Sequence, residues 1–470
     1  MAERYDILVI GGGPGGHAAA LEAARLGART AVIERQGWGG TCTHRGCIPT
    51  KALLACSRAY AELGKLKRLG VQIGESAFDY GAMKRHQEQV VKLSALGVRK
   101  SLEEAGVALL AGEGRLVGPQ EVAWTEQDGT VGELAAAKIV IAWGSEPALP
   151  PGIIPSARIL TSDGILALPA LPESLLIVGG NVIGMEFATF FAELGVPVTL
   201  IEWLPQLLPG EEAEASALLT QGLKKLGVAI QTGLRVDRIR DRGVGVELDA
   251  SAAPPPPTGT LPELLLSEGN RPADASVPGF SAQYALVCTG RRPCLREAEL
   301  SALGIRYDRR GIAVDREQQT SVKGIYAVGD VTGTPMLAHR AMAQGRRLAG
   351  RLCSDEGTKL QSETLPAVVY THPPLARVGP TEAEARAQGL AIEVHRSDYG
   401  ANLTARTQLM GPGFVKLLFC GEKLLGATIV GDQAGELIAP LGLAISAGLG
   451  RRELREWVIP HPTLSEILAI

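Results

Sequence analysis

The chain has 470 residues, of which 46% are apolar and 21% charged, and its formal net charge is −3. This balance is typical of a soluble globular protein of about three domains, and it argues against a nucleic-acid-binding or low-complexity chain. No apolar run reaches the length of about 18 residues that a membrane-spanning helix needs. Seven thinly spread cysteines do not make a secreted disulfide scaffold. We therefore expect a cytoplasmic protein, without a signal peptide, in a reducing compartment.

The first fifty residues contain a strand–turn–helix–strand unit. An apolar strand (residues 5–10) runs into a glycine-rich turn (residues 11–16), and an alanine-rich helix and a second strand follow before Glu34. In a G-x-G-x-x-G turn the first glycine makes the tight turn, the second admits a pyrophosphate and the third packs helix on strand. Phosphates bind at the helix N-terminus, and the acidic residue accepts hydrogen bonds from ribose hydroxyls. The predicted dinucleotide contacts are Gly11, Gly13, Gly16 and Glu34.

Two cysteines, Cys42 and Cys47, follow shortly after the acidic residue. On an ideal helix they would lie roughly 140° apart, so a bond between them needs local distortion, and strained disulfides are the more reducible ones. No second pair or histidine cluster completes a tetrahedral set, so we predict no metal site. Structural cysteines or coincidence are the alternatives. A redox-active pair is favoured because the pair lies beside a dinucleotide turn in a protein of a reducing compartment.

The same unit recurs in the middle of the chain. The offset from Gly11 to Glu34 equals that from Gly179 to Glu202, so two nucleotides are predicted. The middle glycine is replaced by Asn181, which we expect to preserve the turn, because Asn tolerates a left-handed backbone, but to weaken nucleotide contact. Glu202 would repel a 2′-phosphate, which predicts NAD rather than NADP. The predicted contacts of this unit are Gly179, Gly184 and Glu202.

Four further stretches carry a family resemblance. They are residues 39–51 (GGTCTHRGCIPTK), 320–339 (TSVKGIYAVGDVTGTPMLAH), 370–379 (YTHPPLARVG) and 461–466 (HPTLSE). Over its full length the chain resembles the flavin-dependent pyridine nucleotide–disulfide oxidoreductases, most closely the dihydrolipoamide dehydrogenase family. The resemblance implies an α/β fold with two Rossmann-like dinucleotide-binding domains, for FAD and NAD, and a C-terminal α+β dimerisation domain. The implied segments are 1–148 (FAD, first part), 149–283 (NAD, with a Pro-rich loop at 251–280), 284–350 (FAD return) and 351–470 (interface).

The resemblance also implies roles for individual residues. Cys42 would be the interchange sulfur and Cys47 the sulfur next to the flavin, while Lys51 would lie near the flavin N5 and pair with Glu186. His461, held by Glu466, would be the base and would come from the other subunit of a homodimer. Further FAD contacts implied in this way are Gly40, Thr41, Gly114, Gly144, Gly290, Asp330 and Ala338.

The activity implied by the resemblance is oxidation of protein-bound dihydrolipoyl groups through the Cys42–Cys47 disulfide and FAD, with reduction of NAD⁺. The expected partner is a lipoylated carrier domain of a 2-oxo acid dehydrogenase or glycine cleavage system, and the expected role is in cell redox homeostasis. Two alternatives stay open. One is a related reductase of another disulfide or of a metal ion. The other is a flavoprotein with impaired NAD turnover that acts as a binding component.

Several positions depart from the family pattern. Besides Asn181, Trp143 stands where a small polar residue is usual, and we expect it to change domain packing or to block nucleotide approach. Residues 43–45 between the cysteines are unusual, and Arg45 could lower a thiol pKa or point to solvent. Ile459 replaces a second histidine that is frequent in the family. The prolines Pro254–Pro257 favour polyproline II, so residues 251–280 are predicted to be an exposed loop of the NAD domain.

Overall fold

The computed structural model describes residues 3–126, 128–253, 279–354 and 364–470. They belong to two compact units that interleave along the chain. The first unit comprises residues 1–52, 81–148 and 290–359, and the second comprises residues 53–80, 149–289 and 360–470. None of the helices in these ranges is long and apolar enough to cross a membrane. The finer division of the chain into four segments stays a prediction.

A sheet with a parallel centre organises the first unit. Its strands, in spatial order, are Ala108–Ala111, Thr30–Glu34, Glu3–Ile10, Val131–Ile141, Glu121–Thr125 and Glu113–Gly118, and Ile325–Ala327 also pairs with Val131–Ile141. The first four strands and Ile325–Ala327 run parallel, whereas the last two pair antiparallel. The central strands are buried on both sides and therefore read as continuous apolar runs.

Two helices of the first unit pack closely through small residues. Pro14–Arg25 follows the first strand, and its buried positions are glycines and alanines. Ala338–Cys353 packs against it, and a Cβ built on Gly345 would overlap the carbonyl oxygen of Gly15 and lie 2.8 Å from the Ala19 nitrogen. Glycine is therefore required at this crossing, because any side chain would push the helices apart.

A five-stranded parallel sheet organises one part of the second unit. In spatial order its strands are Ala229–Thr232, Val198–Glu202, Leu175–Val178, Tyr284–Val287 and Ile159–Leu160. Helix Val182–Glu193 connects strand Leu175–Val178 to strand Val198–Glu202 and is almost fully buried. The sequence repeat thus corresponds to a structural one: each unit has a central parallel strand followed by a glycine-rich turn and a helix. The predicted α/β fold class is confirmed.

The prediction of a loop over residues 251–280 is wrong at both ends of that range. Strand Val246–Ala252 pairs antiparallel with Leu234–Asp241 on one side and with Phe280–Ala282 on the other. Residues 251, 252 and 280 are therefore strand residues, because their backbone groups complete this three-stranded ladder. The four consecutive prolines lie outside the described residues.

The C-terminal part of the second unit contains an antiparallel sheet. Its spatial order is Ala367–Val369, Leu375–Val378, Lys423–Val430, Phe414–Cys420 and Ile392–Asp398. Helix Ala434–Ser446 packs on it through Leu437, Ile438 and Leu441, which are buried. The far side of that helix exposes Leu443, which is 71% exposed.

The other helices and short ladders complete the two units. Within the described ranges, the remaining α-helices are Gly40–Arg45, Cys47–Ala61, Leu63–Arg68, Tyr80–Glu104, Ser162–Leu166, Ala213–Lys225, Glu297–Ala302, Glu382–Ala387, Leu403–Thr407 and Arg451–Glu456, and the 3₁₀ helices are Gly329–Thr332, Tyr399–Ala401 and Leu464–Leu468. Two short antiparallel ladders join Ser145–Pro147 to Arg291–Pro293 and Tyr307–Asp308 to Gly311–Ile312.

The helix crossing at Gly345 leads to a stability prediction. Gly345→Ala should lower the free energy of unfolding by about 1–3 kcal/mol, because the added methyl group overlaps backbone atoms of the facing helix. Gly350→Ala on the same helix is the control, since a Cβ there meets nothing within 4 Å. It should be neutral or mildly stabilising. Thermal unfolding followed by circular dichroism measures both, and equal melting temperatures for the two variants would contradict the prediction.

Candidate active site

The first glycine-rich turn has a geometry that only glycine permits. Gly11 has φ +114°, and a Cβ there would overlap the carbonyl oxygen of Ala142. A Cβ on Gly16 would overlap the carbonyl oxygen of Gly11, so the helix packs directly on the turn. Gly13, between them, has only the Cα of Gly40 near its missing side chain, at 4.0 Å. The middle position is therefore an opening in the turn, whereas the outer two are close contacts.

The carboxylate of Glu34 holds this turn from the end of the neighbouring strand. One of its oxygens accepts the N–H of Gly12 at 2.7 Å, and the other accepts the N–H groups of Gln36 at 2.7 Å and Gly37 at 3.2 Å. A carboxylate oxygen can accept more than one hydrogen bond. Glu34 therefore retains acceptor capacity for a ribose hydroxyl while it fixes the backbone of the turn.

The helix that follows the first turn is suited to a phosphate group. Helix Pro14–Arg25 begins after Gly13 without a side-chain cap and with proline in its first turn. The first N–H groups of a helix have no partner within the helix, and they carry partial positive charge. With an open glycine beside them, these groups fit the pyrophosphate of a dinucleotide.

The second turn repeats this construction. Gly179 has φ +105°, and a Cβ on Gly184 would overlap the carbonyl oxygen of Gly179. Glu202 accepts the N–H groups of Gly180 at 2.6 Å and Leu204 at 2.7 Å. The pKa of the Glu202 carboxyl is raised by burial, which its backbone hydrogen bonds oppose. The sequence repeat therefore extends to the contact between the acidic residue and the turn.

Asn181 differs from the expectation in its backbone. Its φ is −89° and its ψ is −170°, so the position is extended and no tolerance of a left-handed conformation is involved. The side chain caps the helix that begins at Val182, because its Oδ1 accepts the Val182 N–H at 2.9 Å. That N–H is one of the groups that would otherwise face a nucleotide phosphate. The corresponding position of the first turn is Pro14, which has no N–H, so this capped donor belongs to the second turn alone.

The two cysteines lie on either side of a break between helices. Helix Gly40–Arg45 carries Cys42 and ends at Gly46, whose φ of −143° and ψ of −107° are not helical. Helix Cys47–Ala61 then begins at the second cysteine. This break supplies the distortion that the spacing requires. It also places Cys47 at a helix N-terminus, which favours negative charge.

Cys42 and Cys47 are in the reduced, thiol form in the structure. The pKa of Cys42 is raised, first by its hydrogen bond with the Cys47 side chain and then by burial, while the charge of Lys51 acts in the opposite direction. Lys51 lies one turn into the helix that Cys47 begins. A raised pKa favours the protonated form of Cys42, and the helix N-terminus favours negative charge at Cys47.

Two side chains between the cysteines form hydrogen bonds with the segment that precedes them. The guanidinium of Arg45 donates to the side-chain oxygen of Gln36, and His44 Nε2 lies 3.1 Å from the Trp38 carbonyl oxygen. The sequence left open whether Arg45 lowers a thiol pKa or points to solvent. The structure shows its guanidinium hydrogen-bonded to Gln36. Lys51 is the cation that acts on the Cys42 pKa.

The return segment brings a polar chain to Asp330. Ser145 Oγ donates to Asp330 Oδ2 at 2.6 Å and accepts from Arg291 Nε at 2.8 Å. The N–H of Gly329 donates to the side-chain oxygen of the buried Gln344 at 2.9 Å. Sequence reasoning singled out Asp330 but missed Ser145 and Gln344. The signal in the sequence was that Ser145 directly follows Gly144, which is one of the predicted FAD contacts.

Trp143 packs within the first unit. It lies against the apolar cluster that includes Ile10 and Leu300, and the guanidinium of Arg296 lies 4.9 Å from its ring centroid. Arg296 also donates to the carbonyl oxygen of Gly114 at 2.7 Å. The large side chain is thus accommodated by the core of its own unit, and it contacts an arginine that is hydrogen-bonded to Gly114, one of the predicted FAD contacts.

The C-terminal histidine and its carboxylate lie together. His461 Nδ1 is 2.8 Å from Glu466 Oε1, and the second oxygen of Glu466 accepts the Thr463 N–H at 2.9 Å. The hydrogen bond with His461 is the main cause of a lowered pKa of the Glu466 carboxyl. The His461 side chain is 65% exposed. Its Nδ1 is occupied by Glu466, so Nε2 is the nitrogen left to exchange a proton.

The remaining predicted residues are placed as follows. Glu186 is buried on helix Val182–Glu193 and accepts the Tyr370 N–H at 3.1 Å, so it is not a solvated helix residue. Ala338 begins helix Ala338–Cys353, which has no side-chain cap. Thr41 and Gly40 lie in the first turn of the helix that carries Cys42. Gly144 and Gly290 have positive φ, at +74° and +122°.

Two dinucleotide turns and a thiol pair at a helix break define a class of enzyme: dinucleotide-dependent oxidoreductases that act on disulfides. Residues 5–345 match the pyridine nucleotide-disulphide oxidoreductase family, and residues 365–469 match the dimerisation domain of that family. The chain belongs to this family. The family uses FAD and NAD, and the two turns fit the phosphates of these cofactors. The resemblance expected from the sequence is confirmed.

Individual relatives and solved structures agree with this assignment. A dihydrolipoyl dehydrogenase of Chlorobaculum parvum is 37% identical, covering 98% of this chain and 95% of the relative, and dihydrolipoyl dehydrogenase 2 of Haloarcula marismortui is 36% identical, covering 98% and 94%. Among solved structures, LpdA of Mycobacterium tuberculosis has a TM-score of 0.87 at 28% identity, covering 99% of this chain and 98% of that one. The HOCl-induced flavoprotein disulfide reductase RclA of Escherichia coli, as a Cu(II) complex, has a TM-score of 0.84 at 26% identity, covering 100% and 98%.

The cap at Asn181 leads to a binding prediction. Asn181→Gly should tighten NAD binding by roughly three- to tenfold, because it frees the Val182 N–H and one hydrogen bond is worth about 1 kcal/mol. Asn181→Ala is the matched variant that removes the oxygen but keeps the Cβ. Fluorescence titration with NADH measures both. An apparent Kd that is unchanged or larger in both variants would show that the turn is adapted to Asn.

Proposed function

We propose that this chain is a dihydrolipoyl dehydrogenase that oxidises protein-bound dihydrolipoyl groups and reduces NAD⁺. The thiol pair at the break between helices Gly40–Arg45 and Cys47–Ala61 is the observation that carries the proposal. The full-length relatives with this name support the choice of substrate class.

The proposed chemistry begins with a proton transfer. His461 Nε2 accepts a proton from a dihydrolipoyl thiol, while the Glu466 carboxylate orients the ring and stabilises its charged form. The thiolate attacks Cys42 of the oxidised pair, and a mixed disulfide forms as the Cys42–Cys47 bond breaks. The second dihydrolipoyl thiol then displaces Cys42, which yields the cyclic lipoyl disulfide and two reduced cysteines.

The reduced pair distributes its charge unequally. Hydrogen bonding to Cys47 and burial raise the pKa of Cys42, so Cys42 retains a proton while Cys47 carries the negative charge at its helix N-terminus. When bound, FAD supplies the two-electron transfer between the thiol pair and NAD⁺. The proposed role of Lys51 is to add a positive charge next to this pair, with Glu186 as its counter-ion.

The partners follow from the same proposal. The matched dimerisation domain supports a homodimer, in which His461 would serve the cysteines of the other subunit. Exposed apolar side chains near it, Val458 at 90% and Trp457 at 38%, are suited to burial against a second copy. A lipoylated carrier in the cytoplasm is the proposed macromolecular substrate. The other FAD and NAD contacts proposed from the sequence keep those roles.

An anaerobic titration tests the proposed function. Dihydrolipoamide added to the FAD-loaded protein should produce a long-wavelength absorbance band, which arises from charge transfer from the Cys47 thiolate to the flavin. Addition of NAD⁺ should then remove this band. Cys47→Ser should abolish the band and lower turnover by about 10³-fold or more while flavin stays bound. Cys56→Ser, on the same helix, is the control and should behave as wild type.

The other outcomes of this titration contradict parts of the proposal. Absence of a band with dihydrolipoamide would point to another disulfide or a metal ion as the substrate. A band that NAD⁺ leaves unchanged would indicate an impaired nucleotide site. Loss of flavin from Cys47→Ser would contradict the assignment of the first turn to FAD.

Mixed dimers test the origin of the base. Cys47→Ser and His461→Gln should each be inactive, but a mixture that has exchanged subunits should regain about a quarter of wild-type activity. The reason is that half of the dimers are mixed and each of these holds one intact site. Size-exclusion chromatography confirms that both variants are dimers. Activity no higher than the sum of the two separate variants would place His461 outside the other subunit's site.

A further inference from the structure

A buried polar cluster in the second unit is not used by the chemistry described above. The carboxylate of Glu193 is only 3% exposed. One of its oxygens accepts from Ser57 Oγ at 2.6 Å, and the other pairs with His372 Nδ1. Ser57 is fully buried, and the His372 side chain is 19% exposed. Both carboxylate oxygens are thus held by side chains from elements distant in sequence.

The three residues join elements that carry predicted functional groups. Ser57 is on helix Cys47–Ala61, which begins at the redox cysteine and includes Lys51. Glu193 is the last residue of the nucleotide-binding helix Val182–Glu193. Glu186 precedes Glu193 by seven positions, about two turns, so the two carboxylates share one face of that helix.

The segment that ends at His372 lies along this face. The Tyr370 N–H donates to Glu186 at 3.1 Å, and two residues later His372 pairs with Glu193. Both carboxylates of the helix are therefore contacted by one short stretch of the C-terminal part of the second unit. The position of each carboxylate is fixed at the same time.

The placement of Glu193 is costly by itself. A carboxylate at a helix C-terminus faces the negative end of the helix dipole, and burial removes its hydration. Such a charge persists only where hydrogen bonds satisfy both oxygens. Ser57 and His372 provide these bonds, so the three side chains depend on one another for their positions.

A second set of polar contacts holds the C-terminal end of helix Cys47–Ala61. Arg58, next to Ser57, donates to Asp432 at 2.7 Å and to Glu62 at 3.0 Å. The Tyr399 hydroxyl donates to the carbonyl oxygen of Asp432 at 2.7 Å. Ser57 is thus tied to helix Val182–Glu193, and Arg58 is tied to the segment between strand Lys423–Val430 and helix Ala434–Ser446.

We propose that Ser57, Glu193 and His372 are positioning residues. They fix helix Cys47–Ala61 against helix Val182–Glu193 and thereby set the positions of the Cys47 and Lys51 side chains. Ser57 lies ten residues from Cys47, about 15 Å along a continuous helix. A small tilt at the Ser57 end therefore displaces the thiol, and misplacement by about 1 Å is enough to slow a reaction by about a hundredfold. The inference rests on the proposed function only for the substrate used in turnover assays.

Substitutions that remove single hydrogen bonds test this role. Ser57→Ala and Glu193→Gln should each lower kcat by about five- to twentyfold, while KM for dihydrolipoamide changes by less than about twofold, because the substrate site is untouched. The thiolate–flavin band, generated with one equivalent of dithionite, should lose intensity or shift in wavelength. Glu103→Gln is the matched control, because its carboxylate is an exposed partner of Arg99 on another helix.

A double variant and a conservative one separate positioning from simple stability. Ser57→Ala combined with Glu193→Gln should slow turnover no more than Glu193→Gln alone, because Glu193→Gln already alters the bond that Ser57→Ala removes. His372→Gln can still donate a hydrogen bond to the carboxylate, and it should retain more activity and more of the band than His372→Ala. If Ser57→Ala fails to fold, the two His372 variants give the same comparison.

The outcomes distinguish this inference from the proposed function. Wild-type kcat and an unchanged band in Ser57→Ala and Glu193→Gln, with only a lowered melting temperature, would overturn the positioning role. Equal effects from Glu103→Gln would overturn it as well. A wild-type protein that forms the band with dithionite but not with dihydrolipoamide would overturn the proposed substrate alone, and the band of the variants would still test the cluster.

Discussion

In both nucleotide units, one carboxylate at the end of a strand holds the glycine-rich turn of the neighbouring strand. Glu34 accepts the Gly12 N–H and Glu202 accepts the Gly180 N–H, at 2.7 and 2.6 Å. This bond fixes where the turn ends and where the following helix begins. The helix N-terminus therefore lies at the carboxyl edge of the sheet, which is where dinucleotides bind in folds of this kind. The predicted site depends on this contact before any cofactor contact is made.

The thiol chemistry depends on a second local constraint, the helix break at Gly46. It brings two cysteines together that a continuous helix would separate, and it gives Cys47 a helix N-terminus. A reactive group at the end of a helix moves with the whole helix. At the far end of that helix, Ser57 and Arg58 form hydrogen bonds with Glu193 and Asp432.

Motifs with strict backbone requirements were predictable from the sequence, and those set by tertiary packing were not. Gly11 has φ +114°, and a Cβ on Gly16 would overlap the carbonyl oxygen of Gly11, so both of these requirements are local properties of the turn. Asn181 was expected to need a left-handed backbone, yet its φ is −89° and its side chain caps a helix. The expected loop at 251–280 begins and ends in strand, because pairing partners distant in sequence extend the ladder.

The sequence by itself predicted the two dinucleotide units and the cysteine pair, because each is a short-range pattern tied to backbone geometry or to one chemistry. The family resemblance of residues 461–466 implied the pairing of His461 with Glu466. Only the tertiary structure decided which polar side chains meet across the chain. Ser145 reaches Asp330, and Glu193 is buried between Ser57 and His372. These contacts join residues more than a hundred positions apart. No local propensity encodes them, because they depend on how sheets and helices pack around each buried charge.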